Sequence, residues 1–281
     1  MLDYSRIGDL ISIARIFLFL FFFALVLSPS AMLAQDFEAG LRAAEVGEFE
    51  TALKEWKPLA EQGHAGAQSN IGLMYLNGWG VPKDETEAAR WIRRAAEQGY
   101  ALAQSNLGIL YAKGLGVLMD YAEAVSWFRQ AAEQGYAEAQ NNLGQMYAYG
   151  WGVPRDDTEA VRWFRQAAEQ GNVIAQTSLG DFYDNGWGVS EDDAEAVRWY
   201  RRAANQGYAD AQYRLGVMYS DGAGVRRNTV TGYMWMNIAE ANGGNYELGT
   251  RFFEPVMTTA EISEAKERAR VCMESNYQNW D

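Results

Sequence analysis

One cysteine, one histidine and five prolines among 281 residues narrow the chemistry before any pattern is sought. With Cys272 alone no intrachain disulfide can form, so stability must come from packing, and a single thiol near a helix end reads as a small buried hydrophobe. His64 and Cys272 stand too far apart for zinc-ligand spacing, and a chain with one histidine signals no Ser-His-Asp triad. The apolar run Ile16 to Leu27 has twelve residues. That falls short of the ~20 that a membrane-spanning helix needs. Basic residues are scarce relative to acidic ones, 24 against 37, for a net charge of -13. Such a surface disfavours nucleic acid and anionic lipid headgroups and leaves basic proteins or neutral ligands as better partners. No catalytic residue, metal ligand or cofactor site is assigned, and the reading is of a non-enzyme. A carboxylate-only hydrolase is the one catalytic class that the composition leaves open.

What is present is a repeat. Related segments begin at Ala65, Ala101, Ala137, Val173 and Ala209, 36 residues apart, and they account for most of the 28 glycines. Gln68, Gln104, Gln140, Gln176 and Gln212 share one slot, Tyr75, Tyr111, Tyr147, Tyr183 and Tyr219 another, and Trp91, Trp127, Trp163, Trp199 and Trp235 a third. A fixed period of this size is the mark of stacked supersecondary units, each too small to bury its own core.

Within one copy, Ala67, Ile71, Met74 and Tyr75, then Ala88, Trp91, Ile92, Ala95 and Ala96, recur at helical spacing, so both halves read as amphipathic helices. Gly72, Gly108, Gly144, Gly180 and Gly216 lie inside the first helix and suggest close approach of a neighbouring helix backbone. Between the halves, Gly78 to Lys83 form a short turn, and Asp84 with Glu87 has capping-box spacing that returns at Asp120, Asp156 and Asp192. Capping accounts for every one of these carboxylate pairs. Gly99 followed by Tyr100 fits a left-handed C′ glycine with an apolar residue folding back. Short connections make neighbours antiparallel, and the expected fold is all-α: a right-handed α/α superhelix of helix pairs.

The ends differ. Residues 1–34 carry Arg6 and Arg15 ahead of the apolar run, then small residues up to Ala34, the architecture of a secretory signal peptide with retention as an uncleaved anchor as the alternative. Residues 35–64 read as an N-terminal capping pair in which Pro58 interrupts the second helix. Five repeats follow at 65–100, 101–136, 137–172, 173–208 and 209–245. Residues 246–281 form the C-terminal cap, where Thr258 and Glu261 make a capping box and Ile262, Ala265, Ala269 and Met273 share a face. Export to the periplasm or envelope, or secretion, is expected, as a monomer with no membrane span after cleavage.

The sequences Ala-x-Ala-Gln-x-x-Leu-Gly-x-Met-Tyr, Gly-x-Gly-Val-x-x-Asp and Ala-x-x-Trp-Phe-Arg-x-Ala-Ala-Glu-Gln-Gly, across residues 65 to 245, resemble the Sel-one-like repeat family, relatives of tetratricopeptide repeats. Tyr233 to Ala239 and Met257 to Ile262 are similar to the closing segment of bacterial members. The resemblance implies a scaffold or adaptor for protein partners, often in the bacterial envelope or in signalling complexes. Some exported, cysteine-rich members are associated with β-lactam binding or weak hydrolysis and with immune interactions, but their interhelical cysteine pairs are absent here.

Slots that vary among copies are free to face a partner. Ser69, Ser105, Asn141, Thr177 and Tyr213 fill one, Asn70, Asn106, Asn142, Ser178 and Arg214 the next, and Leu73, Ile109, Gln145, Asp181 and Val217 another. If the first helices line the inner curve, these side chains are its floor, and the amide row offers donors and acceptors to a protein or peptide; the rival role for each Asn is satisfying a helix end. Trp79, Trp151 and Trp187 read either as aromatic anchors or as packing between adjacent loops. The leading reading is an exported protein-binding scaffold with a regulatory role open to it. Alternatives are an envelope-acting hydrolase of the β-lactam or peptidoglycan type and a surface or secreted host-interaction module.

Overall fold

A computed structural model describes residues 29–244 and 254–277. The apolar run and the basic residues of the leader lie outside the described residues, as do the flanks of the C-terminal cap. Among the described residues there are thirteen α-helices, one 3-10 turn at Glu254–Val256 and no strand. In chain order the helices are α1 (Pro29–Glu45), α2 (Phe49–Glu61), α3 (Ala65–Asn77), α4 (Glu85–Glu97), α5 (Ala101–Lys113), α6 (Tyr121–Glu133) and α7 (Ala137–Tyr149). They continue as α8 (Asp157–Glu169), α9 (Val173–Asn185), α10 (Asp193–Ala204), α11 (Ala209–Asp221), α12 (Thr229–Ala241) and α13 (Thr259–Glu274). The chain divides into two compact units, Met1–Lys83 and Asp84–Asp281. In the first, α1 packs on α2 and α2 on α3; in the second, each helix from α4 to α13 packs on the next.

The two helices of a repeat differ more than their apolar spacing suggests. Second helices are amphipathic: α6 buries Ala124, Val125, Phe128, Ala131 and Ala132 and leaves Glu133 and Gln130 in water. First helices are less so, because they bury polar residues alongside the apolar ones. Thus α5 buries Ala103, Gln104 and Ser105 in succession as well as Leu107, Gly108 and Leu110. Of these buried polar groups Gln104 is bonded to its neighbours, whereas the Ser105 hydroxyl is enclosed without a partner among the described residues.

The mid-helix glycines make room for rings. A Cβ on Gly108 would sit 2.6 Å from Phe128, on Gly144 2.7 Å from Phe164 and on Gly180 2.5 Å from Tyr200. Only at Gly216 does backbone, the Gly232 carbonyl at 2.8 Å, stand in the way. The expected backbone approach is therefore corrected at three of these four positions to an aromatic side chain nested on the helix. In the first unit Gly40 receives the Trp56 indole in the same manner. Gly152 serves a different purpose. At φ +71 it lies against the start of α6, where a Cβ would stand 2.3 Å from the Tyr121 carbonyl.

Asp84, Asp120 and Asp156 each accept from two backbone amides of the following turn, and Asp192 accepts from Glu195. Glu87, Glu159 and Glu195 pair forward with Arg90, Arg162 and Arg198, and the reciprocal capping box forms at Thr258 and Glu261. His64 caps α3 by accepting from the Ala67 amide at 3.1 Å. Pro58 does not interrupt α2, which continues through it to Glu61. So close to the helix end, a missing N–H and ring displace little that follows. In α13, Ala265, Ala269 and Cys272 are buried against the last repeat, and burial raises the Cys272 thiol to about 11.

Candidate functional site

The invariant glutamines build the joints. Gln104 donates to the Ala96 carbonyl at the end of α4 (3.2 Å) and accepts from Gln134 at the end of α6 (2.7 Å), so one buried amide ties three helices together. Gln140 does the same with Ala132 and Gln170, and Gln176 with Ala168 and Gln206. Alongside, Arg93, Arg129, Arg165 and Arg201 donate to the hydroxyls of Tyr111, Tyr147, Tyr183 and Tyr219 at 2.5–2.9 Å, each bond crossing from one repeat to the next. These residues are consumed by architecture.

The variable slots separate into two kinds. Ser69, Ser105, Asn141 and Thr177 are buried, so they leave the accessible row; Thr177 turns its hydroxyl onto the Val173 carbonyl at 2.8 Å. Tyr213 in the same slot is half-buried. Asn70, Asn106, Asn142 and Ser178 are also half-buried and Arg214 is exposed. Among the described residues no hydrogen bond engages the side chains of Asn70, Asn106 or Asn142, so none of them satisfies a helix end, and the Nδ2 of Asn106 is enclosed without an acceptor. Leu73, Ile109, Gln145 and Asp181 are half-buried.

Two of the candidate residues, Asp181 and Arg214, meet at Tyr200. Tyr200 donates its hydroxyl to Asp181 Oδ1 at 2.7 Å, and Arg214 Nη1 approaches the same oxygen at 2.9 Å. Among the described residues no hydrogen bond reaches Asp181 Oδ2. Desolvation raises the Asp181 carboxyl above its ordinary value, against the lowering effect of Tyr200 and Arg214, with Asp184 and Asp210 adding to the rise. Burial, then the Asp181 charge, moves Tyr200 upward as well, so its proton stays in place. A cleft of about 230 Å³ opens here, lined by Gln145, Ala148 and Tyr149 of α7, Ser178, Asp181 and Phe182 of α9, and Arg155, Phe164 and Trp187. Arg155 is held bidentately by Asp157 at 2.8 and 2.9 Å.

The loop tryptophans do two things at once. Trp79 stacks on Phe49 and Trp151 on Tyr121 and Tyr149, while Trp187 meets Phe182 edge-on. Yet Trp79, Trp151 and Trp187 remain 45%, 43% and 44% exposed, so each is pinned at one side and presented at the other. In the first unit Trp79, Phe49, Leu73 and Asn70 border a mostly apolar cleft of about 380 Å³.

The model of the Sel1 repeat matches residues 65–100, 101–136, 137–172, 173–208 and 209–244. The chain belongs to the Sel1 repeat family. A protective antigen present in uropathogenic Escherichia coli strains, displaying an SLR fold, is 35% identical with a TM-score of 0.74; the match covers 87% of this chain and 54% of that one. The chain thus spans about half the length of that relative. A Sel1 repeat protein from Oxalobacter formigenes is 35% identical with a TM-score of 0.70, covering 76% of this chain and 88% of that one. No curated protein matches significantly. Sel1 repeat proteins generally mediate protein–protein interactions, and the fold is a repeat scaffold. Among the described residues no helix is long and apolar enough to cross a membrane, and no His, Cys, Asp and Glu group has the arrangement to hold a metal ion.

Tyr200 is the member of this polar group that the slot comparison passed over. Its counterparts are Phe128 and Phe164, and the change to a phenol in the copy that also carries Asp181, with Arg214 one repeat on, was visible in the aligned Sel1 repeats.

Proposed function

We propose that this chain is an exported Sel1 repeat scaffold that binds a protein partner in the periplasm or cell envelope. The observation that carries the binding role is the contrast between the joint glutamines, bonded from helix to helix, and the half-buried slot beside them, where the side chains of Asn70, Asn106 and Asn142 have no bonded partner among the described residues. Export rests on the leader composition of residues 1–34. Affinity capture from envelope extract with the full chain is expected to retain a partner, and reversing Asp181 to Lys while exchanging Tyr213 and Arg214 is expected to release it. Capture that is indifferent to those changes sinks the placement of the binding face.

A second reading is a surface module, supported by the likeness to a protein described as a protective antigen. Protease treatment of intact cells separates the two: cleavage of this chain before lysis places it outside, and protection places it within the envelope.

A further inference from the structure

The copies of one structural position change together. Ile109, Phe128 and Asn142 in one place become Gln145, Phe164 and Ser178 in the next, then Asp181, Tyr200 and Arg214. The third set forms a bonded polar group at the wall of the 230 Å³ cleft, through Asp181 Oδ1 alone. We propose that this cleft receives the cationic side chain, lysine or arginine, of a basic peptide segment, with Asp181 Oδ2 accepting from the cation and Tyr149 and Trp187 flanking its stem. This rests on the scaffold reading and specifies its partner's chemistry.

Four features support a cation over other occupants. Asp181 Oδ2 has acceptor capacity that no described residue fills. Carboxylates cluster here: burial and then Asp184 and Asp210 raise the Asp181 carboxyl, and burial and then Asp193 and Glu191 raise Asp184, with Arg214 opposing both. Arg155, which lines the cleft, is neutralised by Asp157, and Arg214 is engaged by Asp181 through Oδ1. Finally, Tyr149 at 64% exposure and Trp187 at 44% present ring faces suited to a cation and its alkyl chain. An anionic segment would meet the same carboxylates unfavourably, and a purely apolar one would leave Asp181 Oδ2 without a donor. A chain of net charge -13 draws basic partners at long range as well.

The test uses labelled pentapeptide pools with a fixed central arginine, lysine, norleucine or glutamate and randomised flanks, titrated against the full chain by fluorescence anisotropy. The arginine and lysine pools are expected to bind about tenfold more tightly than norleucine, a difference of about 1.4 kcal/mol. Asp181→Asn keeps an acceptor for Tyr200 and is expected to erase that preference; Trp187→Ala, at an exposed loop, is expected to weaken both basic pools several-fold with unchanged far-UV circular dichroism. Equal binding of all pools, binding of none, or a basic preference that survives both substitutions overturns the proposal. An envelope partner captured equally by wild type and Asp181→Asn, with no pool preference, removes this cleft and leaves the scaffold reading standing. A pool preference lost in Asp181→Asn with no envelope partner supports the cleft and removes the envelope reading instead.

Discussion

Ile109 with Phe128, and Asp181 with Tyr200, are the same pair of positions 72 residues apart, one sealed by hydrocarbon and the other by a hydrogen bond of 2.7 Å. Around both, the joints are alike: Gln104 accepts from Gln134 at 2.7 Å and Gln176 from Gln206 at 2.9 Å. The frame therefore holds its geometry without reference to what fills the neighbouring slot. A stack built in this way can alter its surface chemistry one repeat at a time, since the groups that set helix spacing are not the groups that vary.

The comparison breaks most severely if the frame itself is altered. Gly152→Val adds a Cβ 2.3 Å from the Tyr121 carbonyl at a positive φ, and strain plus overpacking should lower stability by roughly 3 kcal/mol or more. Urea unfolding followed by circular dichroism measures it, and a midpoint close to wild type would show that the loop yields freely. Next comes Gln140→Leu, which strips the buried Ala132 carbonyl and the Gln170 amide of their shared partner; a loss of about 1–3 kcal/mol is expected in the same measurement. Smallest is Tyr200→Phe, which gives the fourth repeat the ring of the second and third. Arg214 still faces Asp181, so the cost should be about 1 kcal/mol, with the spectrum unchanged. A Tyr200→Phe effect exceeding that of Gln140→Leu would mean that slot and frame are not independent.

Much of the frame was legible in the sequence because it is local or periodic. Helix α3 runs from Ala65 to Asn77 as its apolar spacing and Gly78 dictate, Asp84 caps the helix after it, and Gly99 takes a φ of +86 with Tyr100 bonding back to Ala95. What was not legible is which of the first helix's polar slots pack inside. Variation at Ser69, Ser105, Asn141 and Thr177 looked like freedom to face a partner, yet the slot is buried. Small polar residues of similar volume exchange there without disturbing the packing, and a hydroxyl can fall back on its own helix, as Thr177 does. The mid-helix glycines were misread for a related reason. Their spacing reveals a close approach, but not whether a backbone or a ring makes it, and the ring comes from a position twenty residues on, at Phe128 for Gly108. At the candidate site, Asp181 and Arg214 were found by their variability, whereas Tyr200 was hidden because it follows Phe128 and Phe164 and reads as one more packed ring.

The glutamine joints have an end. Where Gln134, Gln170 and Gln206 stood, Asn242 takes the place; its amide reaches Gln212 at 2.8 Å and the Tyr277 hydroxyl at 2.9 Å. A shorter amide answered by a phenol from beyond α13 is a terminator, whereas every joint from Gln104 to Gln176 is interchangeable with its neighbour. A change of length by a whole step of 36 residues between Gln104 and Gln176 therefore keeps the amide joint in register, whereas any other increment leaves an amide without its mate. Growth of such a protein is quantised, and Tyr277 marks where counting stops.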